Sequence, residues 1–320
     1  MLLLPLLAAA GAAASRPSDL KIFRDWVVGC DNGRACAASG LMPEEDYEAA
    51  TAGVARGPEA NAPADVWVNV VDGTPAAAMV DGRRFALRAG PDAGYRAADP
   101  AGFLAALAAG KKAVVIDSAG KPLGTLSTAG VAAALLYMDE KQGRLGNVTA
   151  LVRKGPAPAS AVPPPPALPV IASAPPSPRP PRRPTAAQIK AARGDNACEK
   201  PSDEQPAESW RLDARHSLAL VPAHCGSGAY NMLSVALLLD ESGKATTLSF
   251  GGDVDGIWNA DWDPKSRRLG TYGKGRGIGD CGVTQVYAWD GTAFRLVEQT
   301  EMSECRGSMD YITTWRAMVR

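Results

Sequence analysis

Residues 156–184 hold thirteen of the chain's twenty-six prolines, four of them in a row from Pro163 to Pro166. Proline has no backbone donor and a fixed φ, so this stretch is predicted to stay out of any packed element and to extend as polyproline II. At about 3.1 Å per residue such a spacer reaches roughly 90 Å. A chain of 320 residues broken in this way reads as two domains, 16–155 and 195–320, joined by a linker over 156–194.

The charge follows the same division. The formal net charge is zero, which gives no reason to expect nucleic acid as a partner. The linker carries five basic residues, Arg179, Arg182, Arg183, Lys190 and Arg193, and no acidic ones. Residues 195–320 carry thirteen basic and eighteen acidic side chains, a net −5 that the basic tether offsets.

Residues 1–14, MLLLPLLAAAGAAA, form an apolar run that ends in small residues. That pattern suits a signal peptide, and the run is short for a membrane span. No later stretch reaches eighteen apolar residues, so no transmembrane segment is expected. The expected location is therefore periplasmic or secreted, in a bacterial envelope. Six cysteines fit an oxidising compartment: Cys30 and Cys36 before the linker, Cys198, Cys225, Cys281 and Cys305 after it. Cys30 and Cys36 close a seven-residue loop across a turn, worth roughly 2.4 kcal/mol by loop entropy. If Gly291-Thr292 is a hairpin turn, Cys281 falls opposite Met302 and within reach of Cys305. Cys198–Cys225 follows by elimination, with a loop worth roughly 3.5 kcal/mol.

Both domains read as mainly β. Asp25–Cys30 is a strand followed by the Asp31-Asn32-Gly33 turn. Asp72-Gly73 and Asp81-Gly82 suit tight hairpin turns between strands near 65–71, 74–80 and 83–89. Residues 112–117 and 122–127 form a further hairpin. Residues 100–109 and 129–142 have helical propensity, the second ending at Gly143. In the second domain, short apolar or alternating runs at 217–222, 232–239, 245–250, 283–289, 293–299 and 311–319 predict an all-β fold.

Four local patterns could carry chemistry. His216 and His224 stand near Cys225, but a zinc or nucleophile reading needs a free thiolate, so no metal and no catalytic residue are assigned. The glycine-rich stretch 273–282 is neither a dinucleotide fingerprint nor a P-loop. Its amides could form an anion nest, with Lys274, Gly275, Arg276 and Gly277 as the binding residues. Asp253, Asp255, Asp261 and Asp263 do not keep an EF-hand register. Trp258 and Trp262 with Asn259 and Asp261 could instead stack on and hydrogen-bond a sugar, which would give a polysaccharide-binding or hydrolysing protein over 253–263. Burial of the tryptophans would end that reading.

These residues also carry a resemblance. Asp25-Trp26-Val27-Val28-Gly29-Cys30-Asp31-Asn32-Gly33 with Cys36, Gly226-Ser227-Gly228-Ala229-Tyr230-Asn231, and 274–282 with Trp289-Asp290-Gly291 resemble the family called domain of unknown function 1176, from about residue 21 to 320. Through DWVVGC and the LSTAGVAAAL segment, the first domain is also similar to the invasion-associated locus B family. That likeness implies an immunoglobulin-like β-sandwich with a short helix and an envelope location. Neither family brings a catalytic site or a cofactor. The resulting expectation is an exported, non-catalytic binding or structural module whose partner is an envelope component.

Overall fold

A computed structural model describes residues 16–43, 50–90, 94–194, 205–223, 230–251 and 256–320. The first half contains β1 (Lys21–Phe23), β2 (Trp26–Cys30), β3 (Cys36–Gly40), β4 (Thr51–Arg56), β5 (Ala64–Asn69), β6 (Ala77–Val80), β7 (Arg83–Ala89) and β8 (Tyr95–Ala97). α1 (Pro100–Ala109), β9 (Ala113–Ile116), β10 (Pro122–Leu126) and α2 (Val131–Lys141) complete it. The ten strands form one path, β1-β2-β3-β4-β5-β8-β7-β6-β9-β10. The path curls back on itself: Ala50 N donates to Thr125 O at 3.1 Å. Trp26, Val28, Val54, Val66 and Val68 fill its inner face against Phe103 and Leu107 of α1 and Leu135 and Met138 of α2.

α1 starts where the Asp99 side chain accepts from Gly102 N, with Pro100 in the first turn. α2 ends before Gly143, whose φ of +68° suits glycine. Asp81-Gly82 makes a two-residue hairpin turn as predicted, with φ of +46° and +85°. Asp72-Gly73 does not. β5 pairs with β8 rather than with β6, so the chain between β5 and β6 is a crossing and the expected simple meander is corrected there.

The second half contains β12 (Glu208–Arg211), β13 (Ser217–Pro222), β14 (Leu233–Leu239), β15 (Ala245–Thr247) and β16 (Ile257–Trp258) in one sheet. β17 (Asp261–Asp263), β18 (Arg268–Lys274), β19 (Gly282–Trp289), β20 (Phe294–Met302) and β21 (Ile312–Arg316) form another, and β22 (Met318–Val319) follows. Leu218, Leu220 and Ala236 of the first sheet pack on Trp262, Leu269, Tyr287 and Trp289 of the second. The β19–β20 register holds as predicted from Trp289↔Phe294 to Tyr287↔Leu296, then a bulge shifts it by one and sets Gly282 opposite Met302. Cys281 still bonds to Cys305, and Cys30 to Cys36. Cys198 and Cys225 lie outside the described residues, as do the leader and His224.

The proline-rich segment is not a free spacer, which corrects the expectation of an extended tether without packed elements. Its strand β11 (Val170–Ile171) pairs in parallel with β22, and α3 (Ala186–Arg193) begins at a Thr185/Gln188 capping box. Ile189 and Ala192 of α3 cover the outer face of β13 and β14. Prolines remove donors but leave carbonyls, and arginines supply the missing partners. Pro163 O accepts from Arg34 at 3.1 Å, Pro180 O from Arg211 at 3.2 Å and Ala174 O from Arg267 at 2.7 Å. The segment is strapped to both halves.

Candidate functional site

The outer face of the first sheet presents two rows of side chains across neighbouring strands. One runs Gly29–Ala37–Ala55–Asp65, the other Val27–Ser39–Gly53–Trp67–Arg96. Their inner neighbours are the core residues, because successive side chains alternate across a strand. The small row admits β21 of the second half: a Cβ on Gly29 would lie 3.1 Å from Ile312. Val27, Leu41, Cys281, Met302 and Ile312 make a small apolar core at this seam. Gly53 has no side chain because the Trp67 ring lies across it, where a Cβ would collide.

Polar contacts surround that core. Asp31 accepts from Gly33 N at 2.8 Å and Ala35 N at 2.9 Å, and forms a salt bridge with Arg316. Asn32 exchanges two hydrogen bonds with the Arg316 backbone, at 2.8 and 2.9 Å. Asp25 pairs with Arg306 at 2.8 Å, and Ser39 Oγ meets Ser308 Oγ at 2.7 Å. The turn predicted at Asp31-Asn32-Gly33 is thus also the clamp that holds the second half.

At the centre of the seam, Asp310 accepts from Trp67 Nε1 at 2.8 Å and from Asn69 Nδ2 at 3.1 Å. Burial pushes its carboxyl above the usual carboxylate range, against the opposing pull of those donors and of Arg96. Next to it, Tyr311 and Tyr272 share a 2.9 Å hydroxyl contact, and both donate to Gly279 O. Burial and then the Tyr272 hydroxyl drive the Tyr311 phenol upward.

Next to Trp67 and Tyr311 the two halves leave a cleft of about 410 Å³. Ala37, Ala55 and Gly57 form its floor; Trp67, Tyr311, Asp65 and Arg316 supply aromatic faces and both charges. Such a mixture of an apolar floor and a few placed polar groups is what small-ligand sites are made of. A second cavity of about 490 Å³ lies between Pro17, the 169–172 strap and Trp315.

The residues singled out from sequence lie elsewhere. In the glycine-rich loop, Arg276 is matched by Asp280, whose side chain is 1% exposed, at 2.7 Å. Burial opposes ionisation of Asp280, but Arg276 and Gly307 N hold its carboxyl below the ordinary range. Gly275 N is spent on Cys281 O, and Cβ atoms on Gly275 and Gly277 would press on Cys281 Sγ and the Tyr230 ring. Lys274 Nζ stands over the rings of Tyr230 and Tyr272, 5.8 and 5.3 Å from their centroids. These contacts lend the anion-nest expectation for Lys274, Gly275, Arg276 and Gly277 no support: the loop packs against its disulfide, and Arg276 is paired with Asp280.

Trp258 and Trp262, the tryptophans of the sugar-binding expectation, do not present a shared exposed face. The chain passes from one sheet to the other between Trp258 and Asp261, with Asn259 at a φ of +46°. That crossing sends Trp262 between the sheets, 4% exposed and edge-on to Phe294, and leaves Trp258 half-buried beside Gly273. The Asn259 amide bonds to Tyr230 O, Asn231 Oδ1 and Tyr272 O, and only Asp261 is exposed. Asp253 and Asp255 lie outside the described residues. His216 meets Asp213 at 3.0 Å and the edge of Trp289, a turn lock in which Asp213 falls to about 2. Burial opposes that fall, and donation from Trp289 and His216 outweighs it. Among the described residues no three His, Cys, Asp or Glu side chains converge as a metal site.

Fold and seam together define a mainly β protein whose two halves close on a cleft with an apolar floor and a few polar groups. The chain belongs to the family described as protein of unknown function (DUF1176), whose model matches residues 20–318. It is 29% identical over 329 residues to uncharacterized protein YpfG of Escherichia coli (strain K12), covering 89% of this chain and 88% of that one. Among solved structures it matches the invasion associated protein B of Bartonella henselae at 20% identity and a TM-score of 0.29. That match covers 39% of this chain and 99% of the other.

Proposed function

We propose that this protein is an exported component of the bacterial envelope, periplasmic or secreted, and acts as a binding or structural module. Residues 16–155 and 195–320 are its two structural units, and the cleft between them is its ligand-facing part. The cleft carries the reading: Trp67, Tyr311, Asp65 and Arg316 come from both halves and surround a floor of small residues. Two formed disulfides and the apolar run 1–14 support export.

Retention of the purified protein on isolated envelope material tests the binding half of this reading. Ala55→Tyr fills the cleft and is expected to abolish retention while leaving the melting temperature within a few degrees. Unchanged retention by a folded variant overturns the cleft assignment. Intact mass from periplasmic extract, with thiols alkylated before reduction, tests export. Loss of the leader without alkyl uptake is expected; a full-length, alkylated chain overturns it.

A further inference from the structure

On the far side of the second half, three guanidinium groups close on one carboxylate. Glu241, in the turn between β14 and β15, meets Arg211 at 2.5 Å, Arg182 at 3.6 Å and Arg179 at 3.8 Å. The three arginines are not equivalent. Arg211 lies on β12 with its side chain 7% exposed and is also held by Pro180 O. Arg179 and Arg182 come from the strap, inside the sequence Pro178-Arg179-Pro180-Pro181-Arg182-Arg183-Pro184, and are more than half exposed. The prolines stiffen the backbone that presents them, so fewer conformations are lost when the charges engage a partner. Arg183 and Arg215 are exposed beside them, Arg179 reaching the carbonyl of Ala214. Asp240, the other acid of the turn, is occupied by Ser242 and by the Lys244 amide. Glu241 thus faces three guanidiniums, and with Arg183 and Arg215 beside them five arginines outnumber the two acids of the turn, a positive patch on a chain of zero net charge.

We propose that this surface docks onto the phosphate-bearing face of an anionic lipid layer, with Glu241 as an internal counter-ion that lipid phosphates replace. Guanidinium forks match phosphate oxygens two at a time, which favours arginine over lysine for this task. None of these residues lines the cavities described above, and exposed arginines on a rigid strap suit an extended charged surface better than a small enclosed ligand. The surface is separate from the seam cleft, so the two assignments stand or fall independently.

Sedimentation of the full chain with vesicles tests it, comparing phosphatidylglycerol-containing vesicles with pure phosphatidylcholine at 50 and 200 mM salt. Wild type is expected to bind only the anionic vesicles, and less at high salt. Arg179→Ala with Arg182→Ala is expected to weaken binding roughly tenfold or more, since each basic residue near an anionic lipid surface is worth about fivefold. Glu241→Gln is expected to tighten binding several-fold, because it removes the competing charge and keeps the turn. No binding by wild type, equal binding to both vesicle types, or indifference to the arginine pair overturns the proposal. So does weaker or unchanged binding by Glu241→Gln. Loss of vesicle binding in a few millimolar inorganic phosphate at constant ionic strength also overturns it, and would assign the cluster to a free phosphate compound.

Discussion

Asp139 and Asp310 are both held inside the molecule, and they are held in opposite ways. Asp139, 0% exposed on α2, faces Arg56 of β4 at 2.7 Å and accepts from the amides of Leu151 and Val152. Gln142 and Arg144 extend that network to the carbonyls of residues 57–60, so each guanidinium nitrogen of Arg56 and Arg144 has an acceptor. Asp310 sits at the seam, half-buried, with neutral donors at its oxygens, and its neighbours Trp67 and Tyr311 line the cleft. A buried carboxylate with its own cation organises a fold; one met by neutral donors keeps more of its desolvation penalty and holds its proton more tightly.

The largest expected effect lies at the paired site. Asp139→Ala leaves Arg56 buried without its counter-charge and is expected to cost about 3–5 kcal/mol in denaturant unfolding. The double change Arg56→Met with Asp139→Leu is expected to recover most of that loss, because it removes both desolvation penalties. If Asp139→Ala costs no more than Asp310→Ala, the contrast between the two carboxylates fails.

An intermediate effect is expected at Trp67. Trp67→Phe keeps the ring over Gly53 but removes the Nε1 donor to Asp310, leaving a half-buried oxygen with fewer partners. The expected cost is about 1–3 kcal/mol. Amide exchange should locate it in residues 303–311 and in β5, with the β6–β7 hairpin unchanged. Uniformly faster exchange throughout the first half would mean that Trp67 supports the sheet and not the seam.

Much of this fold was legible from local signals, and the seam was not. The Asp81-Gly82 hairpin, the 113–126 hairpin and α2 with its Gly143 stop depend on neighbours in sequence. β19–β20 was legible from its turn up to the bulge, and so was the Cys281–Cys305 link. β18 was hidden because Arg268–Lys274 contains two glycines and no alternation. Asp72-Gly73 misled because turn chemistry cannot say which strand will take the edge of β5. Trp67 and Arg96 meet through the β5–β8 pairing, and only the docking of β21 on the small row brings Asp310 to them. One signal was present: Gly29, Ala37, Gly53 and Ala55 leave one face of three adjacent strands nearly bare. That pattern in a half-buried strand implies close approach by another backbone or ring. The change of sheet at Asn259, which sends Trp262 inward and leaves Trp258 half-buried, likewise had no local signal in the sequence.

The smallest expected effect discriminates best between the two carboxylates. Burial makes the folded protein hold the Asp310 proton more tightly than the unfolded chain does, where an aspartate titrates near about 3.9. The stabilisation from that proton is full below the unfolded value and is lost as pH rises through the folded one. Asp310→Asn imitates the protonated form and still offers an oxygen to Trp67. Wild type and variant should therefore melt together at about pH 3.5, with the variant gaining a modest lead as pH rises toward 7. A constant difference across that range would mean that Asp310 does not change charge on its own account. If wild type instead gains on the variant as pH rises, Trp67, Asn69 and the more distant Arg96 stabilise the anion, and Asp310 is a structural carboxylate of the same kind as Asp139.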